Sequence, residues 1–193
     1  MVWLILGLTV FLGIHLLPTF SSLRSALIES FGPSKYQALF ALSSLTGLIL
    51  IVVGMIYSNN AHAWTPPAWG PSLNAALMLL AITLMAAANM KTNVKRYTRH
   101  PMLWGVFLWA VGHMLSNSEW DVLILCGSFG IYALIAMFSA NLRGARKAKE
   151  KFPLKNDFIV LAAGATAYVA FIFLHPYLFG VAVITASTNL VPF

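Results

Sequence analysis

Charged residues are missing from long tracts of this chain: none occurs in residues 1–23, 36–90, 100–118, 122–142 or 158–193. These tracts are continuously apolar and lack the in-out alternation of a barrel strand. A bilayer core of ~30 Å takes about 20 apolar residues as a helix, and only helices or closed barrels satisfy the backbone there. The pattern therefore predicts an all-α integral membrane bundle. Cutting the tracts at their turn signals gives six spans, near residues 3–23, 38–57, 71–90, 101–117, 121–141 and 158–180. Ser58-Asn59-Asn60 and Pro66-Pro67-Ala68-Trp69-Gly70-Pro71 separate the second from the third, because no helix threads such a run. The first span has no basic leader or A-x-A site, so it reads as a helix and not as a cleaved signal peptide. With no internal repeat and no low-complexity segment, one membrane domain over 1–193 is expected.

Composition supports this class. Only 9% of the 193 residues are charged and 60% are hydrophobic, whereas a soluble domain covers itself with roughly 25% charge. The net charge is +7, and its placement gives an orientation. Arg24 and Lys35 follow span 1, Lys91 to Arg99 follow span 3, and Arg143 to Lys155 follow span 5. By the positive-inside rule those three connections face the cytoplasm of a bacterial inner membrane, and both termini face outside. Trp3, Trp64, Trp69 and Trp120 fall at the opposite interface, as an aromatic belt would. The charge then means orientation and attraction to anionic membrane lipid; no soluble basic module is present to bind nucleic acid. Cys126 is the only cysteine, which excludes an intrachain disulfide.

The five acidic residues sit at or beyond span ends, and there is no phosphate loop, C-x-x-C or H-E-x-x-H. Histidines remain. His62 reads as a solvated loop residue, His100 opens span 4 ahead of Pro101, and His175 precedes Pro176 near the end of span 6. His15 and His113 lie inside apolar spans. At 1.5 Å per residue they sit ~14 Å above Arg24 and ~21 Å above Arg99, both near mid-membrane. Buried ionisable groups there are functional unless paired; the plain alternative is a neutral imidazole bonded across helices. Two imidazoles on separate helices in an apolar setting suit haem iron, making His15 and His113 the expected metal ligands. Arg24, Lys95, Arg96 and Arg99 are expected to meet anionic groups at the basic surface, haem propionates included, since a guanidinium binds a carboxylate bidentately.

His15 with Leu23-Arg24, Gly32, Tyr36 and Leu42-Ser43-Ser44-Leu45-Thr46-Gly47-Leu48 resembles the opening of the NnrU family. Arg99-His100-Pro101-Met102-Leu103-Trp104-Gly105-Val106, continuing through Trp109 to His113 and Asn117, is the densest match, and His175-Pro176-Tyr177-Leu178-Phe179-Gly180 also fits. The resemblance covers essentially the whole chain. It implies a bacterial membrane protein associated with denitrification, that is, with nitrite and nitric oxide metabolism. The wider family includes 15-cis-ζ-carotene isomerase, which implies haem b, a poly-cis carotenoid substrate, and axial ligands at His15 and His113. Arg24, Arg99 and His100 join these as cofactor-side residues. The isomerase carries a cysteine three residues before the second ligand, proposed for ligand exchange; this chain has Ala110. Arg99-His100-Pro101 with Gly105 is also similar to membrane methyltransferases that bind S-adenosylmethionine. Those enzymes need a downstream glutamate on the same side, whereas Glu119 and Asp121 fall on the other.

Overall fold

The computed structural model describes residues 1–180 and Val183. Helices account for nearly all the regular structure: α1 (Val2–Leu16), α2 (Ser21–Phe31), α3 (Pro33–Ile56), α4 (Gly70–Asn89), α5 (Val94–Tyr97), α6 (Pro101–Ser116), α7 (Trp120–Leu142) and α8 (Leu154–Phe179). Five segments are long and apolar enough to cross a bilayer, and α6 is a shorter apolar helix of 16 residues. Their lipid-facing surface is ordinary for this class, with Leu42, Ile49, Ile131, Phe138, Phe158 and Phe173 all exposed. This is a multi-pass helical membrane protein.

Five of the six spans lie close to their expected positions, and the first does not. α1 stops at Leu16, a 3-10 turn covers Leu17–Thr19, and α2 runs on as a separate helix. Pro18 is the cause: its ring cannot follow an α-helix without clashing with the preceding turn and removing a hydrogen bond. Gly32, at φ 78°, then reverses the chain, and Pro33 starts α3 with its φ already set. Arg24 therefore does not share a helix with His15, and its distance along the chain does not measure that histidine's depth.

The helices pack in a row, in the order α3, α1, α7, α6, α4, α8. Burial alone cannot drive helix association in lipid, so close backbone approach through small residues takes its place. A methyl added to Gly47 would fall 2.7 Å from the Phe11 backbone nitrogen, and one on Gly7 would fall 2.8 Å from Gly47 O. Gly54 abuts Leu4 in the same way, so α1 and α3 meet along their length. On the other side Gly105 meets Ala81, Gly112 meets Asn74, and Gly164 of α8 meets Thr83. The α1–α7 contact is slimmer than its neighbours in the row. It forms a seam between the α1–α3 pair and the rest, bridged by Leu4, Leu8 and Ile51 with Phe11, Leu12, Ile124, Leu125 and Phe129.

Polar ties lie at the two ends. At the basic end, Asp157 of α8 accepts from Thr92 Oγ1 (2.6 Å) and Asn93 N (2.8 Å) on one oxygen and Asn93 Nδ2 (2.7 Å) on the other. Asn93 also donates to Phe152 O and accepts from Phe152 N, which fixes the α4–α5 turn to the start of α8. At the tryptophan-rich end, Ala63 N donates to Ser118 O and Trp120 N to Ala61 O, and Trp64 Nε1 donates to Asn117 O.

Candidate functional site

His15 is the penultimate residue of α1, and α7 gives its depth. The His15 ring stands edge-on to Tyr132, 6.3 Å away, and Tyr132 is twelve residues into α7, ~18 Å from its start at 1.5 Å per residue. His113 is twelve residues into α6, ~18 Å from that helix's basic end and only about 5 Å from its tryptophan-rich end. Both side chains are half-buried; His15 lies level with the middle of α7, and His113 in the last turn of α6, nearer the tryptophan-rich end.

The two rings share one posture. His15 Nδ1 lies 2.7 Å from Phe11 O, and His113 Nδ1 lies 2.9 Å from Trp109 O. A carbonyl only accepts, so each Nδ1 carries the proton and donates to the residue four positions back. In the neutral ring this leaves Nε2 as a bare lone pair, and Nε2 has no hydrogen-bond partner among the described residues in either case. Metal-bound histidines characteristically tie their other nitrogen to a carbonyl or carboxylate in this way, which fixes the tautomer and the ring orientation.

An aromatic run joins the pair. His15 stacks on Phe11 (4.2 Å between centroids), Phe11 meets Phe129 of α7 (5.6 Å), Phe129 meets Trp109 (5.7 Å), and Trp109 meets His113 (5.0 Å). The run crosses the α1–α7 seam, with three aromatic side chains between the imidazoles. Neither helical pairing rests on chance: Phe11 and His15, like Trp109 and His113, are four residues apart and share a helix face. Phe129 and Tyr132, which complete the site, were missed in the sequence because nothing in an apolar helix marks which aromatic faces a seam. Toward the basic end the contacts continue from His15 to Phe40 (5.2 Å) and on to Tyr36 (6.5 Å), over whose ring the Arg24 guanidinium lies at 5.8 Å. Beside the seam, Leu8, Thr9, Leu12, Gly13, Leu16 and Ser128 line a shallow, mostly apolar groove of about 320 Å³.

Along essentially its whole length the chain fits one family: residues 3–183 match the model described as NnrU protein. The chain belongs to the NnrU family. No curated protein and no solved structure matches it. The remaining residues singled out in this NnrU chain divide by position. Arg99 and His100 lie at the other end of α6 from His113, where Arg99 NH1 (2.9 Å) and His100 Nε2 (3.0 Å) both donate to Asn141 Oδ1. His62 Nδ1 meets Ser118 Oγ at 2.8 Å, a tie between two loops. His175 stacks on Phe179, near the described end of α8. Among the described residues no group of three or more His, Cys, Asp or Glu is placed to hold a metal ion. A cofactor that brings its own equatorial ligands, as a porphyrin does, requires only the axial pair. Ala110, the position of the isomerase's cysteine, is fully buried and packs on Gly130 of α7.

Proposed function

We propose that this NnrU-family protein binds one haem b between α1 and α6, with His15 and His113 as axial ligands through Nε2. The observation that carries the reading is the matched posture of the two imidazoles: same tautomer, same tie to their own helix, and neither Nε2 with a hydrogen-bond partner among the described residues. Their neutral nitrogen donors and the flanking Phe11 and Trp109 rings suit a porphyrin. Because three rings now lie between the histidines, binding one iron requires Phe129 to swing out of the run. Arg24, beyond Tyr36 on the His15 side, is the partner for a propionate. Arg99 and His100, held to Asn141 at the far end of α6, have no part in this assignment.

When bound, haem supplies an iron able to exchange electrons with, or add to, a conjugated polyene. The groove beside α1 and α7 supports cis-trans isomerisation of a poly-cis carotenoid entering sideways from lipid, with Leu8, Leu12 and Leu16 receiving its apolar length. One observation favours a second reading, a non-enzymatic haem protein serving nitrite and nitric oxide metabolism. At Ala110 the α6–α7 contact leaves a small, inert side chain where ligand exchange would need a thiol.

Purified protein should show a Soret band and sharp reduced α and β bands of low-spin haem; a wild type without a Soret band rejects the proposal. In a deletion strain, accumulation of 15-cis-ζ-carotene supports the isomerase, and a defect in nitrite or nitric oxide handling supports the second reading. We also propose that the basic end faces the cytoplasm of a bacterial inner membrane, with the amino terminus outside. Alkaline phosphatase fused after residue 65 should then be active, and after residue 150 inactive. The reverse pattern would overturn that orientation.

A further inference from the structure

At the basic end a second cavity, of about 400 Å³, lies apart from the histidine seam. Its walls come from Ala88 of α4, Lys95 of α5, residues 99–103 at the start of α6, and Arg146 and Ala148 of the α7–α8 connection. Neither α1 nor α2 contributes. Three permanent cations, Lys95, Arg99 and Arg146, line it together with His100, and no carboxylate does. The nearby acid, Asp157, has both oxygens engaged by Thr92 and Asn93. Among the described residues no ion pair neutralises any of the three cations.

The cluster is held in place and not merely crowded. Asn141 Oδ1 accepts from Arg99 and His100 together, which aims the side chains while leaving the guanidinium charge uncompensated. Ala148 N donates to Lys95 O at 3.0 Å, and this draws the connection carrying Arg146 against α5. The start of α6 has no side-chain cap, so the amides of Met102 and Leu103, two of the lining residues, add the positive end of a helix to the same space. Arginines that cannot deprotonate, gathered around uncapped amides, recognise a tetrahedral oxyanion.

We propose that this cavity binds a phosphate group, and that the phosphate is the headgroup of an anionic phospholipid. The apolar rim argues for a lipid. Met102 and Leu103, on the first apolar turn of α6, line the cavity beside the cations, and Met102 is 40% exposed, which offers acyl chains an apolar surface next to the charge. Basic pockets between helices on the basic side of membrane proteins take such headgroups.

Native mass spectrometry of the full chain tests this, titrating phosphatidylglycerol or phosphatidylcholine with identical acyl chains. One phosphatidylglycerol should bind with clear preference. Arg99→Gln and Arg146→Gln should each weaken it about fivefold, the size of one Lys or Arg near an anionic surface. Arg146→Lys should recover most of the loss. Lys147→Gln and Lys149→Gln remove the same charge from the same connection outside the cavity, and should leave the preference intact. If Lys147→Gln weakens binding as much as Arg146→Gln, the attraction is diffuse and the pocket is overturned. A separate arm titrates inorganic phosphate and reads thermal unfolding in neutral detergent. Stabilisation that disappears in Arg99→Gln, without lipid preference, keeps the phosphate site but replaces the lipid with a soluble ligand. No preference and no stabilisation would reject both. Haem content is not a readout here, so this result is independent of the assignment of His15 and His113.

Discussion

The middle of the bundle and its two ends use histidine in opposite ways. At the ends, His62 and His100 meet side chains of another element, Ser118 and Asn141, and join loops or helices. Inside α1 and α6, His15 and His113 each bond to a carbonyl of their own helix, and Nε2 has no hydrogen-bond partner among the described residues. Water can replace a lost tie at an end, so a histidine there is a fastener of modest value. In the apolar layer an unmet nitrogen is costly, and the proposed haem ligation rests on two of them. The side chain's chemistry is the same in both regions; only the surroundings differ.

The sharpest way to break this comparison is to exchange the two classes. His15→Ala and His113→Ala should each abolish the low-spin spectrum or convert it to high-spin, while His62→Ala and His100→Ala retain it. Equal loss from all four variants, read by absorption of the purified proteins, would erase the distinction. Next in size, Asn93→Ala removes three side-chain bonds that tie the α4–α5 turn to α8, and should cost roughly 2–3 kcal/mol. Stability in a denaturant titration should fall while the haem spectrum of the folded fraction stays unchanged. Phe129→Leu is subtler. If Phe129 must yield to the porphyrin, the smaller side chain should raise haem retention through detergent exchange by about threefold, under 1 kcal/mol. Lower retention would mean that the ring walls the cofactor. The smallest effect belongs to His62→Ala, which loses one exposed hydrogen bond and should shift stability by no more than about 1 kcal/mol.

Much of this was legible in the sequence. The blocks of uncharged residues located the spans because lipid allows no other backbone solution. His15 and His113 stood out as lone polar residues in those blocks, and their four-residue pairing with Phe11 and Trp109 could be read at helical period. The early end of α1 was also readable, since Pro18 is a local signal, but the apolar tract running on to Leu23 masked it. The order of the helices in the row was not legible. It depends on which glycines meet which backbones, and Gly7, Gly47 and Gly54 look alike until their partners are known. For the same reason the bonds of Arg99 and His100 to Asn141, forty-odd positions later, could not be read from the sequence.

The order of that row also sets a timetable for biogenesis. A ribosome delivers α1 and α3 to the membrane first, and they can pair at once. His113 arrives with α6, but α1 and α6 are joined through α7, the next helix to be made. Until α7 inserts, the nascent chain holds both histidines and lacks Phe129 and Tyr132, the α7 rings that contact the Phe11–His15 and Trp109–His113 pairs. Any cofactor captured earlier would be held by a single ligand on an unfinished wall. On the proposed haem assignment, loading would therefore follow synthesis past residue 142, when a nearly complete protein, and not an emerging one, presents itself to whatever delivers the cofactor.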